Sequence, residues 1–280
     1  MMRFRHGGTK HVVAVLWLLA LLSAAPSRAQ APAPPQPQTA VSVAIVLAVD
    51  TSGSVSNDRF ELQKQGYAAA FRNREVVNAI RSLDTQSIAV TMMQWTGPLL
   101  HVVAVDWTTI KDEAGSGLFA DAIESAPRQL FGGGTSISGA IDFSRLLLIQ
   151  CPCRATRRVI DVSGDGANNR GRPAAPARDE AVHDGIVING LPILTVEPDL
   201  DRYYYDNVIG GPGAFMIPAR NYETFADAVL KKLISEIAGV EPDTNPSSRF
   251  DANRGLASQT RPSLRRSLSP PPQNISVLYR

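Results

Sequence analysis

"LAVDTSGSVS", Leu47 to Ser56, places an aspartate and a run of hydroxyl side chains where an apolar strand ends. The residues before it, "VSVAIVLAV" from Val41, form a continuous β-branched and apolar run of the kind found in strands buried on both faces. A buried strand followed by polar loop residues and then a helix-period segment, with Phe60, Tyr67 and Phe71 on one face, is the opening unit of a β-α sheet. Alone, Ser and Gly after a strand are also ordinary turn and cap residues. The surrounding chain decides between the two readings.

Working outward, "SIAVTMMQW" (Ser87–Trp95) is a second strand, and "LLHVVAVDW" (Leu99–Trp107) follows it across a Thr-Gly-Pro turn as its antiparallel partner. Helices are expected near Leu118–Ser125, from about Ser136 to Leu148 and around Arg178–Asp184. Further strands are expected at "RRVIDVS" (from Arg157), "LPILTVE" (from Leu191) and, briefly, "AFMIP" (from Ala214). A last helix carries Phe225, Val229, Leu233 and Ile237 on one stripe, with Asn221 as its cap. This alternation predicts an α/β fold, doubly wound on a mostly parallel central sheet with one antiparallel edge strand and helices on both faces.

The ends of the chain read differently. Arg3, Arg5 and Lys10 precede an apolar core, Val12 to Leu22, and small residues reach Ala29, which reads as a secretory signal over 1–29 cleaved near Ala29. That core is about half the roughly 20 residues a membrane-spanning helix needs, so stable membrane insertion is not expected after cleavage. Residues 30–40 form a Pro-rich linker, 41–240 one domain and 241–280 a Pro/Ser/Arg-rich tail read as disordered, in which Asn274 lies in a lone glycosylation sequon. The expected location is periplasmic or secreted.

Loss of 1–29 lowers Lys plus Arg from 28 to 24 against 26 Asp plus Glu, leaving a nearly neutral chain with no field that argues for nucleic acid or an anionic membrane. The two cysteines, Cys151 and Cys153, sit in a Cys-Pro-Cys loop. In an exported protein they read as an oxidised staple rather than a redox or metal motif.

In a sheet of this type ligands collect beyond the carboxyl ends of the strands. Asp50, Ser52 and Ser54 lie there, and two other loops at that edge add Thr135 in "GGGTS" and Asp165 in "SGDG". Two carboxylates and three hydroxyls form an oxygen-only donor set suited to a hard cation, with Mg²⁺ expected first and Mn²⁺ or Ca²⁺ as alternatives. The remaining histidines, His101 and His183, lie outside these loops, which argues against Zn²⁺ or copper.

This set resembles the von Willebrand factor A domain and its metal-ion-dependent adhesion site, D-x-S-x-S followed by a distant Thr and a distant Asp before Gly. The resemblance covers roughly 41–240. "RRVIDVSGDGANNRG", "GIVINGLPI" and "VIGGPGAF" are more narrowly similar to an uncharacterised bacterial family of exported A-domain proteins. The resemblance implies that Ser52, Ser54 and Thr135 touch the metal directly and that Asp50 and Asp165 act directly or through water. It also implies that an acidic side chain of a protein partner completes the shell, with Thr135 as the element that moves if binding is gated.

Two departures stand out. Asp161 interrupts an otherwise apolar strand, and a buried carboxylate must be paired. The candidates are Arg157, Arg158 or backbone groups, or else a supporting role behind the metal. Gly164 stands where a larger residue is usual, which would loosen its loop.

The function expected is a non-enzymatic, metal-dependent protein-binding module, with an accessory subunit of an envelope enzyme complex as the alternative. A serine hydrolase using Ser52 or Ser54 with His101 or His183 is the competing class, although G-x-S-x-G is absent. "FGGGTS" lacks the lysine of a phosphate loop. Trp95 and the tyrosines of "YYYD" (Tyr203–Asp206) read as core packing or partner contacts.

Overall fold

The structure, a computed structural model, describes residues 38–240 and Pro242. The signal segment 1–29, most of the linker, Asn274 and, apart from Pro242, the tail lie outside the described residues. The elements run β1 (Thr39–Asp50), α1 (Asn57–Arg72), α2 (Arg74–Arg81), β2 (Ile88–Trp95), β3 (His101–Ile110), α3 (Glu113–Ser125), α4 (Ile137–Ile149), β4 (Cys153–Gly164), α5 (Ala174–His183), β5 (Val187–Pro192), α6 (Leu200–Asn207) and α7 (Phe225–Ala238).

The sheet order is β3-β2-β1-β4-β5, parallel throughout except for the antiparallel edge strand β3, as the alternation predicts. β1 is central and its alternate residues serve different layers. Val43, Ile45, Leu47 and Val49 pack with Tyr67, Phe71, Phe119, Phe225 and Leu233 of α1, α3 and α7. Ala44, Val46 and Ala48 pack with Ile137, Ile141, Ala177 and Tyr204 of α4, α5 and α6. Burial on both faces explains why β1 reads as an unbroken apolar run.

Several boundaries differ from the sequence pattern. β5 is "VINGLP", earlier than "LPILTVE", because Gly190 brings the strand against α6. A Cβ there would lie 2.6 Å from Tyr204 Cδ1. "AFMIP" makes only the isolated bridge Gly190↔Met216, and Ala219 just after it bridges Ile193. Asn221 closes the turn before α7 by accepting from the Thr224 N–H at 3.0 Å, and the helix begins after Thr224. At its other end Gly239, with φ of 69°, provides the left-handed residue that stops it.

The partner of Asp161 is not an arginine. It is Lys232 of α7, at 2.5 Å, and Lys232 also lies 2.5 Å from Glu236 one turn on. The two-residue period of β4 puts Asp161 on the same face as Val159, toward α7, whereas Ile160 and Val162 face the other layer. Arg157 instead donates to the Glu236 and Ile237 carbonyls at the end of α7, and Arg158 to the Asp184 carbonyl. Asn189 of β5 donates to Glu236 Oε1 at 2.8 Å. Cys151 and Cys153 are joined in a disulfide at the start of β4.

Candidate functional site

The parallel register sets the ends of β1 and β2 side by side, Asp50 against Trp95, and Gly164 of β4 beside Pro192 of β5. Loops leaving this edge carry all five sequence-derived candidates. Asp50 turns its own loop by accepting the Ser52 N–H at 2.7 Å. Ser54 Oγ donates to Asp165 Oδ1 at 2.5 Å, so in the 3.2 Å contact between the Ser52 and Ser54 hydroxyls Ser52 is the donor. A chain from Ser52 through Ser54 to Asp165 thus joins the first and third loops.

Thr135 arrives through a stretch that only glycine serves well. Gly132, Gly133 and Gly134 have φ of 74°, 97° and 80°, a left-handed run open to residues without Cβ. The Thr96 hydroxyl bonds the carbonyls of Gly132 and Gly134, and the Thr135 N–H donates to Asn169 Oδ1 at 2.9 Å. The loop lies against its neighbours, since a Cβ on Gly53 would be 3.8 Å from Gly132 Cα, and one on Gly166 would be 3.6 Å from Thr135 Oγ1. Thr135 therefore stands beside the residue that follows Asp165, although no hydrogen bond links its hydroxyl to the other four candidates.

Asp50 and Asp165 are fully buried, Ser52 and Thr135 nearly so, and Ser54 is exposed. Asp50 Oδ2 has no hydrogen-bond partner, nor does the Tyr204 hydroxyl that projects toward the same spot. A Cβ on Gly164 would lie 3.0 Å from the first and 3.1 Å from the second, so this glycine makes room for the aspartate and does not merely loosen the loop. Burial, with the charge of Asp165 adding to it, pushes the Asp50 carboxyl up to about 7, against the lowering effect of the Ser52 N–H. Two neighbouring buried carboxylates, one with an orphaned oxygen, alongside free hydroxyl lone pairs, fit a hard divalent cation: its charge would offset a repulsion that Arg59, paired with Asp165 alone, relieves only in part. Among the described residues no three His, Cys, Asp or Glu side chains converge, so this hydroxyl-rich set is unlike an imidazole or thiolate centre.

Other residues complete the site without a sequence signature of their own. Tyr222, in the turn before α7, donates to Asp165 Oδ2 at 2.9 Å. Arg59 lies 3.5 Å from the same oxygen, donates to the Ser54 carbonyl at 2.8 Å and sits over the Tyr222 ring. A cation in the first turn of α1 opposes the helix dipole, and its pairing with Asp165 offsets that cost. Arg128 donates to the Thr51 carbonyl at 3.0 Å, tying the loop before Thr135 to the loop after β1.

The hydrolase arrangement is not assembled. Ser52 and Ser54 have each other and Asp165 as hydroxyl partners, while His101 stacks on Phe143 at 5.0 Å and His183 ends α5. Trp95 is fully buried and belongs to the core, and Tyr204 is the tyrosine of "YYYD" that reaches the site.

Residues 40–241 match the family model described as "Protein of unknown function (DUF1194)". The chain belongs to this family. No curated protein matches it by sequence. The fold is of the von Willebrand factor A type. Proximal thread matrix protein 1 from the mussel byssus superposes with a TM-score of 0.52 at 14% identity, over 72% of this chain and 49% of that one. The pilus adhesin SpaC from Lactobacillus rhamnosus GG gives a TM-score of 0.52 at 14% identity, over 72% of this chain and 31% of that one. The DUF1194 chain thus spans about half of the first protein and under a third of the second. No helix among its described residues is long and apolar enough to cross a membrane.

Proposed function

We propose that this DUF1194 protein is an exported protein-binding module that holds a divalent cation, Mg²⁺ first, with Asp50, Ser52, Ser54, Thr135 and Asp165, and uses it to grip a carboxylate on a protein partner. The observation that carries the reading is the orphaned Asp50 Oδ2, fully buried beside a second carboxylate. Asp165 has its oxygens engaged by Ser54, Tyr222 and Arg59, whereas Asp50 Oδ2 has no protein donor to displace. That makes Asp50 the carboxylate readiest to meet the ion. The serine relay ends on Asp165 and leaves hydroxyl lone pairs for the same purpose. A bound cation with an exchangeable position would favour an incoming carboxylate by its charge.

Export is supported by the basic-then-apolar start of the chain and by the Cys151–Cys153 disulfide, a bond that persists in oxidising compartments. The similarity to a pilus adhesin and a byssal matrix protein supports the fold, and the adhesive role is carried over as part of this proposal. Thermal melting tests it. Mg²⁺ at about 100 times its dissociation constant adds roughly 2.7 kcal/mol, reversed by chelator. Identical melting with Mg²⁺ and with chelator would sink the reading.

A further inference from the structure

We infer that the partner is a protein segment in which an acidic side chain is accompanied by apolar residues and by a second acidic residue. This rests on the metal-dependent reading above and specifies what lies around the gripped carboxylate.

The apolar part is built by two loops bonded to one another. The β2–β3 turn carries Leu99, 91% exposed, and Leu100, 46% exposed, and the loop before Thr135 carries Phe131, 66% exposed. The Ser136 N–H donates to the Thr96 carbonyl at 2.7 Å, the Thr96 hydroxyl bonds the Gly132 and Gly134 carbonyls, and a Cβ on Gly133 would lie 2.9 Å from Leu100 Cδ1. Arg128 holds Phe131 toward the site. Its guanidinium sits 4.8 Å from the ring centroid while bonding the Thr51 carbonyl and Asn57 Oδ1. Large aliphatic and aromatic side chains fixed in water beside a polar centre mark an interaction surface rather than ordinary scatter.

The charged part borders the same glycine loop. Arg170 rests against Gly134, where a Cβ would lie 2.6 Å from its Cγ, and it is exposed. Its backbone is bound to the Thr135 carbonyl, but its guanidinium makes no hydrogen bond or ion pair among the described residues. Arg59 and Arg128 are already engaged, and the nearby acid Glu197 is occupied by the Ala167 N–H. A divalent ion would offset Asp50 and Asp165, so Arg59, Arg128 and Arg170 outnumber Glu197 at this face, and Arg170, the exposed one with an unengaged guanidinium, selects an anionic group. The apolar loops beside it select a protein segment over a uniformly polar chain.

A random-peptide phage library selected on the full-length protein in Mg²⁺ and eluted with chelator tests this. Enriched clones are expected to carry an Asp or Glu together with apolar residues and a second acid. Their recovery should fall about tenfold or more on a Leu99→Ser/Phe131→Ser variant, while Mg²⁺ still raises that variant's melting temperature. Arg170→Glu should lower recovery of the doubly acidic clones and spare those with a single acid. Acidic clones without apolar neighbours, equal recovery on the variants, cation-independent clones or no enrichment would each overturn the docking surface. Loss of the Mg²⁺ melting shift in the wild-type protein would instead overturn the metal reading beneath it.

Discussion

Two pairs of buried carboxylates occupy this sheet and they are neutralised in opposite ways. At the loop edge Asp50 and Asp165 share a site in which the nearest basic group is Arg59, 3.5 Å from one oxygen and partly exposed. On the α7 face Asp161 and Glu236 share a lysine, Lys232, that is completely buried and 2.5 Å from each. The second cluster carries its cation within it, with Asn189 donating to Glu236 and accepting the Phe215 N–H, although Asp161 Oδ2 and Glu236 Oε2 have no hydrogen-bond partner. In the first, the orphaned Asp50 Oδ2 has no ion-pair partner among the described residues. A pair with a buried cation between its members is neutralised in place, whereas Asp50, which no cation touches among the described residues, is left to be completed from outside.

The largest expected effect strikes the self-contained cluster. Lys232→Met leaves two carboxylates in the core without a counter-charge and should cost about 3–5 kcal/mol in urea unfolding at neutral pH. A loss below about 1 kcal/mol would mean that Lys232 does not neutralise them. At the open pair the contrast should invert. Asp50→Asn removes one of two repelling groups, so in chelator it should melt no lower than wild type, while the roughly 2.7 kcal/mol gained with Mg²⁺ near 100 times its dissociation constant disappears. Asp165→Ala should lose the same gain without unfolding, and outright unfolding would make Asp165 a structural residue.

pH sharpens the comparison. Burial, then the charge of Asp161, raises the Glu236 carboxyl from 4.5 to about 7, against the lowering effect of Lys232 and Asn189. A raised acid favours the folded state while protonated. Its contribution is therefore complete below about 4.5 and lost as pH rises through about 7. Asp161 is shifted in the same direction by burial. Glu236→Gln, which keeps an acceptor for Asn189, should flatten the stability profile across that window, and an unchanged profile would assign the pH dependence elsewhere. The smallest effect belongs to Tyr222→Phe. Losing one hydrogen bond to Asp165 should cost about 1 kcal/mol and weaken Mg²⁺ binding only a few-fold.

How far the sequence could be read follows from where each signal is stored. Asp50, Ser52, Ser54 and Asp165 lie at or just past the ends of strands and Thr135 in a glycine-rich loop just before a helix, so the first three are visible from one decapeptide, and Thr135 and Asp165 from the strand and helix order. The central strand announces itself by unbroken burial. Lys232 is different. It lies on α7, 71 residues beyond Asp161, and only the packing of that helix on β4 reveals that they meet, while Arg157 and Arg158 are nearer in sequence and face other groups. β5 is displaced from its expected position because Gly190 is set by contact with Tyr204 across layers, which no local pattern records. Tyr222 and Tyr204 reach the site from a turn and a helix whose own sequences read as packing.

The central claim is that the open pair awaits a single hard ion. Titrating Mn²⁺ into the protein and following the free ion by electron paramagnetic resonance tests it most directly. The account predicts saturable binding at a single site, displaced by Mg²⁺ and abolished in Asp50→Ala. Mn²⁺ that stays free in the wild-type protein, or that binds Asp50→Ala equally well, would contradict it.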